Sequence, residues 1–442
     1  MGLIIGVGNT KPTFPYDYYY GVKINTTVRD TVLERVGRSE LHVSLPIQSM
    51  MRRCLLSDAG EVITYLHATD STKMDTGATA DLTGARGMVM VEIPEHYRKF
   101  EFDGTNLLAL LSLYALPGFH KVRKQYISAY EAALDRNGYK LASIVNTEGK
   151  CRGGNNNSEW DGTYRSLLGM PVSNYSLTAL RTYARNRGEA GLNGKGWNAQ
   201  TYEAWTTLYW LYVVEYANRN CQATYTAELT SEGYHQGGLG AGVTTLDNTK
   251  WNNYNGRNPF IPCGTTNSLG NATGVVSFTM PDEYDTGVVH TLEVPSYRGV
   301  ENPFGHIWKW TDGLHVQVQS DADGGKSLFF RATDDDPANF QDSNYNGYTE
   351  RGEIARKDGY VKNILGGEYG DILPTEVGGD SSSYYADYFY TNIPTSGTSL
   401  RGVYVGGGAN YGAIAGLASA RTDYAPSTAG STIGSRLCFI PA

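Results

Sequence analysis

The spacing that comes nearest to a known chemistry occurs in an Asn-rich acidic stretch at 342–353. Oxygen-bearing side chains fill its first, third and fifth positions, followed by Gly at the sixth and Glu at the twelfth: Asp342, Asn344, Asn346, Gly347 and Glu353. This is the spacing of an EF-hand calcium loop. Thr349 stands where an aliphatic residue is usual and neither flank has a helical pattern, which favours a plain turn cluster. The sequence requires no cofactor but allows a structural calcium ion.

Other residues that could carry catalysis form no complete pattern. The adjacent acids at 334–336 could supply the paired carboxylates of a glycosidase, but such runs are usually solvated loops. The eight histidines are scattered singly, which is typical of structural histidines. The five cysteines include no CxxC pair and are predicted to be buried free thiols: Cys54, Cys151, Cys221, Cys263 and Cys438. The residues therefore predict a protein that is not an enzyme.

The stretch after Glu376 differs in composition from the rest of the chain. It contains no Trp, Lys, Glu, Gln or Met and is dense in Gly, Ser, Ala, Tyr, Thr, Asn and Asp. The five missing types are those that a codon cannot encode when its first two bases vary freely and its third is a pyrimidine (NNY). An apolar run at 434–441 follows and predicts a fixed strand behind a mutable surface. The alternative is a Gly/Ser-rich loop region without such a history.

The overall composition excludes several classes of function. The net charge is −8 and there is no run of Lys or Arg, so neither nucleic acid nor an anionic membrane is an expected partner. The 33 tyrosines favour a recognition surface, although tyrosine suits β-sheets equally well. The N-terminal apolar run lacks the basic lead and the length of a signal peptide or membrane helix. We therefore expect neither secretion nor membrane insertion.

Two helices are the clearest elements that could position a site. Ser176 is the predicted cap of a helix over 177–187 that stops at Gly188. Thr201 is the predicted cap of a longer helix over 202–218. The apolar residues of that second helix recur at helical spacing, which predicts one wide buried stripe that supports the rest of the fold.

Strands are predicted on both sides of a polar stretch at 69–83. Two short strands surround a turn at 58–60, and a buried strand is expected over 88–94. The second half of the chain shows little helix and many short strands between Gly, Asn and Asp turns. We expect two domains, a small mostly-β attachment or oligomerisation unit over 1–82 and a larger domain over 83–442.

Six ordered segments carry a resemblance to a known family. They are MVEIP at 90–94, LPGFH at 116–120, LYVVEY at 211–216, GVENPFG at 299–305, WKWTDG at 308–313 and GSRLC at 434–438. Together they resemble the tropism-determinant-like receptor-binding proteins of bacteriophage tail-fibre tips. Members of that family have a C-type-lectin-like fold, shared more distantly with formylglycine-generating enzymes, and are diversified by a diversity-generating retroelement. The resemblance spans roughly residue 46 to the C-terminus.

The resemblance implies an α+β, C-type-lectin-like domain with two helices, small antiparallel sheets and long structured loops. It also implies a variable face at about 400–432, because the retroelement replaces template adenines and so turns AAY codons into NNY codons. The candidate ligand-binding residues are Tyr404, Gly407, Asn410, Tyr411, Ala413, Ala415, Ser419, Arg421, Asp423 and Tyr424. A constant strand beneath or beside this face is expected to contain four tyrosines: Tyr384, Tyr385, Tyr388 and Tyr390.

The implied function is receptor binding at the tip of a phage tail fibre. The ligand would be a bacterial surface protein or glycan, and the partners would be other tail-fibre or baseplate proteins and further copies of the chain in a homotrimer. Such a protein is made in the host cytoplasm and becomes part of the virion. The alternatives are a glycan-processing tailspike or lectin-fold enzyme, and a structural fibre or baseplate component. Only Cys438 lies in the closing segment, whereas formylglycine-generating relatives need a copper-binding cysteine pair.

Overall fold

Strands dominate the architecture. The structure, a computed structural model, describes residues 16–145, 169–188, 196–223, 226–236, 246, 248–280 and 290–441. Strands make up 40% of the described residues and helices 15%, and the strands build large curled sheets. The expected α+β, C-type-lectin-like fold is therefore wrong. The expectation failed because segments that have the composition of irregular loops form strands, and these strands pair with other parts of the chain.

The described ranges contain four α-helices and 28 strands. The helices are α1 (Ser39–Ser44), α2 (Leu177–Arg185), α3 (Tyr202–Tyr216) and α4 (Asn248–Asn255). The strands are β1 (Tyr20–Asn25), β2 (Glu34–Gly37), β3 (Arg52–Leu56), β4 (Val62–His67), β5 (Asp70–Met74), β6 (Met88–Ile93), β7 (His96–Phe102), β8 (Asn106–Ser112), β9 (His120–Val122), β10 (Gln125–Ser128), β11 (Ala133–Asp135), β12 (Lys140–Ala142), β13 (Gly196–Ala199), β14 (Thr226–Leu229), β15 (His235–Gln236), β16 (Gly274–Met280), β17 (His290–Tyr297), β18 (Val300–Glu301), β19 (Trp308–Gln319), β20 (Ser327–Ala332), β21 (Tyr348–Glu353), β22 (Gly359–Gly366), β23 (Asp371–Val377), β24 (Tyr388–Thr391), β25 (Thr398–Val405), β26 (Ala420–Thr422), β27 (Ile433–Gly434) and β28 (Leu437–Ile440).

The strands form three larger sheets and three small ones. One larger sheet has the strand order β2-β1-β8-β7-β9, and a second has the order β13-β28-β10-β6-β3-β4-β5. The largest has the order β21-β20-β19-β25-β26-β24-β22-β23, with β27 added alongside β19. Pairing is antiparallel except between β24 and β26 and between β19 and β27. The small sheets are β11-β12, β14-β15 and β16-β17-β18.

The boundary expected at residue 82 does not separate the sheets. β1 pairs with β8 and β3 pairs with β6, so strands from both sides of the boundary share two sheets. Tyr20, Val22 and Ile24 are fully buried in the same core cluster as α3. The described residues before 82 are thus continuous with the rest of the fold. Their role in attachment or oligomerisation stays a prediction.

Both predicted helices are present with their predicted caps. The Ser176 hydroxyl accepts a hydrogen bond from the Ala179 backbone N–H at 3.2 Å, and α2 ends at Arg185. The Thr201 hydroxyl accepts from the Ala204 N–H at 3.2 Å at the start of α3. Each cap satisfies a backbone donor that the first helical turn leaves without a partner.

The longer helix is buried on every side, not along one stripe. All fifteen residues of α3 are buried, because the helix packs against β1, β8 and β19 from two different sheets. Its Glu215 carboxylate accepts hydrogen bonds from the Tyr297 hydroxyl at 3.0 Å and from Arg298 at 2.5 Å. Burial on every side is what a helix with apolar residues all round requires. α3 therefore supports the sheets from inside the core.

Several smaller predictions are confirmed. The turn at 58–60 joins β3 to β4, and the strand predicted over 88–94 is β6, whose residues are all buried. The closing strand is β28, which lies between β10 and β13. Cys54, Cys221, Cys263 and Cys438 are buried free thiols, as predicted, whereas Cys151 lies outside the described residues. None of the helices in the described ranges has the length and apolar character that crossing a bilayer requires.

Candidate functional site

A row of four large side chains crosses four neighbouring strands of the largest sheet. Arg421 on β26 lies directly opposite Tyr404 on β25 and Tyr390 on β24. Tyr404 in turn lies opposite Trp310 on β19. Residues directly opposite one another in a sheet share a face and contact each other. The row therefore places one guanidinium between two tyrosines on the surface of the sheet.

Aromatic rings surround the guanidinium of Arg421. Its central carbon lies 4.6 to 5.7 Å from four ring centroids, those of Tyr390, Tyr424, Tyr404 and Trp308. These distances are in the range of cation–π attraction. The same guanidinium donates a hydrogen bond to the Tyr411 hydroxyl at 2.9 Å and forms an ion pair with Asp423. Arg421 is thus held by aromatic faces and by two hydrogen-bond acceptors.

The rings also contact one another at their edges. The centroid of Trp310 lies 4.8 Å from that of Tyr404, and Trp308 lies 5.2 Å from both Tyr404 and Tyr411, all in T-shaped geometry. Such pairs add stabilisation beyond the area that they bury. We call this cluster the aromatic face and define it by Trp308, Trp310, Tyr390, Tyr404, Tyr411, Arg421, Asp423 and Tyr424.

Arg421 and the two tyrosines on either side of it keep their ordinary charge states at neutral pH. Burial disfavours the charged guanidinium, but the hydrogen bond with Asp423 and the attraction of Tyr404, Asp423 and Tyr411 together outweigh burial and raise the pKa of Arg421. Burial raises the pKa of the Tyr390 and Tyr404 hydroxyls. The face therefore presents the Arg421 cation between the neutral phenols of Tyr390 and Tyr404.

Exposure divides the ten candidate residues into two groups. Four are buried: Tyr404, Gly407, Ala415 and Ser419. Six are partly or fully exposed: Asn410, Tyr411, Ala413, Arg421, Asp423 and Tyr424. Tyr424 is the most open aromatic side chain of the set, with 41% of its surface exposed. In the single chain, a ligand can reach the second group, whereas the first group holds the segment in place.

Close contacts fix the loop between β25 and β26. Gly407 has a positive φ of 78°, and a Cβ at this position would lie 2.4 Å from the Ala415 side chain. A Cβ at Gly416 would lie 1.9 Å from a carboxylate oxygen of Asp387. The Ala418 N–H donates to that carboxylate at 2.6 Å. The loop thus leaves no room for a larger residue at Gly407 or Gly416.

The four tyrosines expected on one strand divide between two environments. Tyr388 and Tyr390 lie on β24, and Tyr390 belongs to the aromatic face. Tyr384 and Tyr385 precede that strand and are buried in the main core. The Arg219 guanidinium lies 5.7 and 5.2 Å from their ring centroids. Their constancy stays a prediction.

The sequence did not single out Trp308 and Trp310 as part of the face. Side chains alternate between the two faces of a strand, so W-K-W at 308–310 places both indoles on one face. The Y-F-Y pattern at 388–390 does the same for its two tyrosines. This alternation could have indicated the two aromatic pairs. It could not show that they share one surface, because β25 and β26 lie between β19 and β24 in the sheet.

The calcium-like loop uses its oxygens within the protein. One Asp342 oxygen accepts from Arg181 at 2.5 Å, and the other accepts from the Thr178 hydroxyl. Glu353 lies on β21 and pairs with Lys326 at 3.6 Å. In the described ranges there is no group of three His, Cys, Asp or Glu residues that could hold a metal ion. The oxygens of Asp342 and Glu353 are thus committed to partners within the protein and do not fit a calcium ion.

The acid triplet is also largely committed to internal bonds. Asp335 accepts two hydrogen bonds of 2.7 Å from Arg331. Asp336 accepts from the Ala338 N–H at 3.0 Å and so caps a short turn. Asp334 is exposed. Asp335 and Asp336 thus accept different internal hydrogen bonds, Asp334 is exposed, and the three carboxylates do not form the catalytic pair of a glycosidase.

Comparison with known proteins adds one distant likeness. No protein-family model matches the sequence, and neither does any curated protein. Among solved structures, the major tropism determinant, M1 variant, is similar over 93% of this chain and 89% of that chain. The identity is 12% and the TM-score is 0.22. At that TM-score the likeness carries no argument about fold or function.

Proposed function

We propose that this protein is a receptor-binding protein of a bacteriophage virion and that its aromatic face binds a bacterial surface ligand. The observation that carries the proposal is the partly exposed Arg421 guanidinium among four aromatic rings. The six ordered segments that resemble tail-fibre-tip proteins support the phage context. The proposal is one of binding without chemistry.

The physical properties of the aromatic face suit recognition. Tyrosine and tryptophan offer large contact area with few rotatable bonds, so little side-chain entropy is lost on binding. Edge-to-face packing and the cross-strand pairs hold these rings before any ligand arrives. The Arg421–Asp423 pair adds polar groups of both signs, and its bonds give it a fixed orientation. A glycan or a protein loop with mixed apolar and polar groups fits such a surface.

The same geometry refines the proposed diversification. The six exposed candidates are the positions whose side chains can change without entering the core. The four buried candidates are expected to stay constant, because each is packed against the loop or the sheet. A homotrimer would repeat the face and convert weak single contacts into avid attachment.

Cell adsorption tests the proposal directly. The fluorescently labelled full chain is incubated with a panel of bacterial strains, and the bound fraction is compared with that of a Tyr411→Ala/Tyr424→Ala variant. We expect the wild-type chain to adsorb to at least one strain and the variant to lose adsorption. Tyr114→Ala is the matched control, since Tyr114 is 56% exposed and follows β8 in another sheet. Equal adsorption by wild type and double variant would overturn the assignment of the aromatic face.

The gene sequence tests diversification separately. We expect NNY codons at the six exposed positions and a nearby near-copy with AAY at the matching codons. Other codons without such a copy would remove the retroelement from the proposal and leave the binding face intact. Release of reducing sugar from capsule or lipopolysaccharide would instead favour a glycan-processing tailspike.

A further inference from the structure

A buried arginine outside the aromatic face contacts no carboxylate among the described residues. Arg98 is on β7 and is 3% exposed. Among the described residues, its guanidinium makes one long hydrogen bond, from Nη1 to the Thr207 hydroxyl at 3.5 Å, and no ion pair. A buried charge without a close partner is costly, because the desolvation of the ion is not offset. The fold therefore holds Arg98 in a state that a second charge would stabilise.

The neighbouring arginines are all paired. Three arginines share three carboxylates, with the contacts Arg123–Glu203 at 2.8 Å, Arg331–Asp335 at 2.7 Å, Arg331–Asp371 at 2.7 Å and Arg351–Asp371 at 3.1 Å. Arg98 is the fourth cation of this cluster. Glu203, Asp335 and Asp371 attract Arg98 through space, but none of these carboxylates forms an ion pair with it.

A cavity of about 250 Å³ opens beside the unpaired arginine. Arg98 and Arg123 line its floor with Glu203. At its mouth the rings of His120 and Tyr369 lie 5.3 Å apart. The cavity is large enough for a small organic molecule, and its wall combines an uncompensated cation with ring surfaces and oxygen acceptors.

We propose that this cavity binds a small hydroxylated carboxylate, such as a sugar acid, with its carboxylate on Arg98. The guanidinium fork matches the two oxygens of a carboxylate. The carboxylates of Glu203, Asp334 and Asp335 at the wall would repel a second negative charge, which favours a monoanion. Oxygens of the same wall can accept hydrogen bonds from ligand hydroxyls, and the ring of Tyr369 can cover the ligand at the mouth.

Arg98 remains charged under the conditions at which a carboxylate is ionised. Burial, aided by repulsion from Arg331, lowers the pKa of Arg98 to about 10. This value is still well above neutral pH. None of the residues that line this cavity belongs to the aromatic face, so this site is distinct from that face and does not rest on the proposed function.

Ligand-induced thermal shift and calorimetry on the full chain test the site. Glucuronate is the probe, glucose is its neutral counterpart and inorganic phosphate is the dianion. We expect glucuronate to raise the melting temperature in a concentration-dependent way, and glucose to leave it unchanged, since a ligand stabilises the state that it binds. No shift with glucuronate, an equal shift with glucose, or tighter binding of phosphate would each overturn the proposal.

Variants assign the binding to the arginine. Arg98→Met is expected to weaken glucuronate binding by about tenfold or more, because a charge-assisted hydrogen bond is lost. Arg98→Lys keeps the charge but not the fork, so it should fold even if the first variant does not, and it should bind more weakly than wild type. Arg38→Met is the control and should bind glucuronate as the wild type does, since Arg38 is exposed and does not line the cavity. If both variants bound glucuronate with wild-type affinity, the assignment to Arg98 would be wrong. If Arg98→Met does not fold, wild-type affinity in Arg98→Lys alone would have the same meaning.

Discussion

The guanidinium of Arg421 lies 4.6 Å from the ring centroid of Tyr390, on the parallel strand beside it. Parallel pairing is rare in this sheet, and here it sets the two residues directly opposite each other. Arg421 is therefore bound to a neighbouring strand through its side chain as well as through the backbone ladder. A change at this position alters the surface and also a contact between strands.

A library with NNY codons at all ten candidate positions would separate surface positions from structural ones. After selection for soluble folded protein, we expect Asn410, Ala413 and Tyr424 to tolerate most of the encoded residues. Gly407 should return almost entirely to glycine, because its φ of 78° and the 2.4 Å approach to Ala415 exclude a Cβ. Deep sequencing before and after selection measures this. Free variation at Gly407 would contradict the close contact.

Two tyrosines of the aromatic face should differ in their effect on stability. Tyr404 is 1% exposed, so Tyr404→Ala should lower the free energy of unfolding by about 3–5 kcal/mol through the cavity that it leaves. Tyr424 is 41% exposed, and Tyr424→Ala should change the free energy of unfolding by less than about 0.5 kcal/mol. Denaturant unfolding measures both. Equal losses would mean that Tyr424 belongs to the core and not to the surface.

The buried carboxyl of Asp387 should make stability depend on pH. Burial raises the pKa of Asp387 to about 8, against about 3.9 in an unfolded chain. Its neutral form is thus favoured in the fold, so its stabilising contribution is complete below pH 4. That contribution falls as the pH rises towards 8. Cys221, whose thiol faces Asp387, has a pKa raised well above its ordinary value by burial and stays neutral.

Asp387→Asn tests this dependence, because the amide resembles the neutral acid in shape. The variant should be more stable than the wild type at pH 8, whereas the two should be closest near pH 4. Melting temperatures across that range, with the difference between the two proteins as the readout, remove the contribution of other groups. A constant difference across the range would show that Asp387 does not titrate there.

The stability of the protein should depend on every member of a buried charge cluster at the start of β19. Glu131 pairs with Lys309 at 2.8 Å and with His306 at 2.5 Å, and all three are buried. Glu131→Gln leaves the Lys309 ammonium buried without its carboxylate, so the free energy of unfolding should fall by about 3–5 kcal/mol. Adding Lys309→Met should restore part of the loss.

The matched control for this experiment is an exposed ion pair. Lys362 and Glu376 lie 2.7 Å apart on β22 and β23, and both are partly solvated. Glu376→Gln should cost at most about 1 kcal/mol, since surface pairs contribute little. Similar losses at Glu131 and Glu376, measured by urea unfolding, would show that burial does not decide the energetics of the cluster.

Local signals in the sequence predicted local structure well. Ser176 and Thr201 began helices because each hydroxyl satisfies a backbone donor, and that chemistry lies within four residues. The burial of α3 on every side could not be predicted this way, since it depends on strands from both sheets around it. The lectin-like fold was wrong for the same reason: Trp308–Gln319 pairs with Thr398–Val405 and Gln125–Ser128 pairs with Leu437–Ile440, partners that are far along the chain.

The candidate site shows the same division. Composition directed attention to the stretch after Glu376, where most of the aromatic face lies. It could not separate Tyr404 from Tyr424, because exposure follows from the register between β19, β25 and β26. The partners Trp308 and Trp310 lie about a hundred residues earlier in the chain and became visible only through that register.

The position of β28 has a consequence for how the chain folds. This strand lies inside the seven-stranded sheet, and a bond from Arg436 to the Ser128 carbonyl spans 308 residues of chain. Closing so long a loop costs entropy before its contacts form, and topologies rich in such contacts fold slowly. The edges of β10 and β13 that pair with β28 stay unpaired until the segment that carries the aromatic face has been synthesised. Completion of this sheet is therefore a slow, late step in folding, and it requires an intact closing segment.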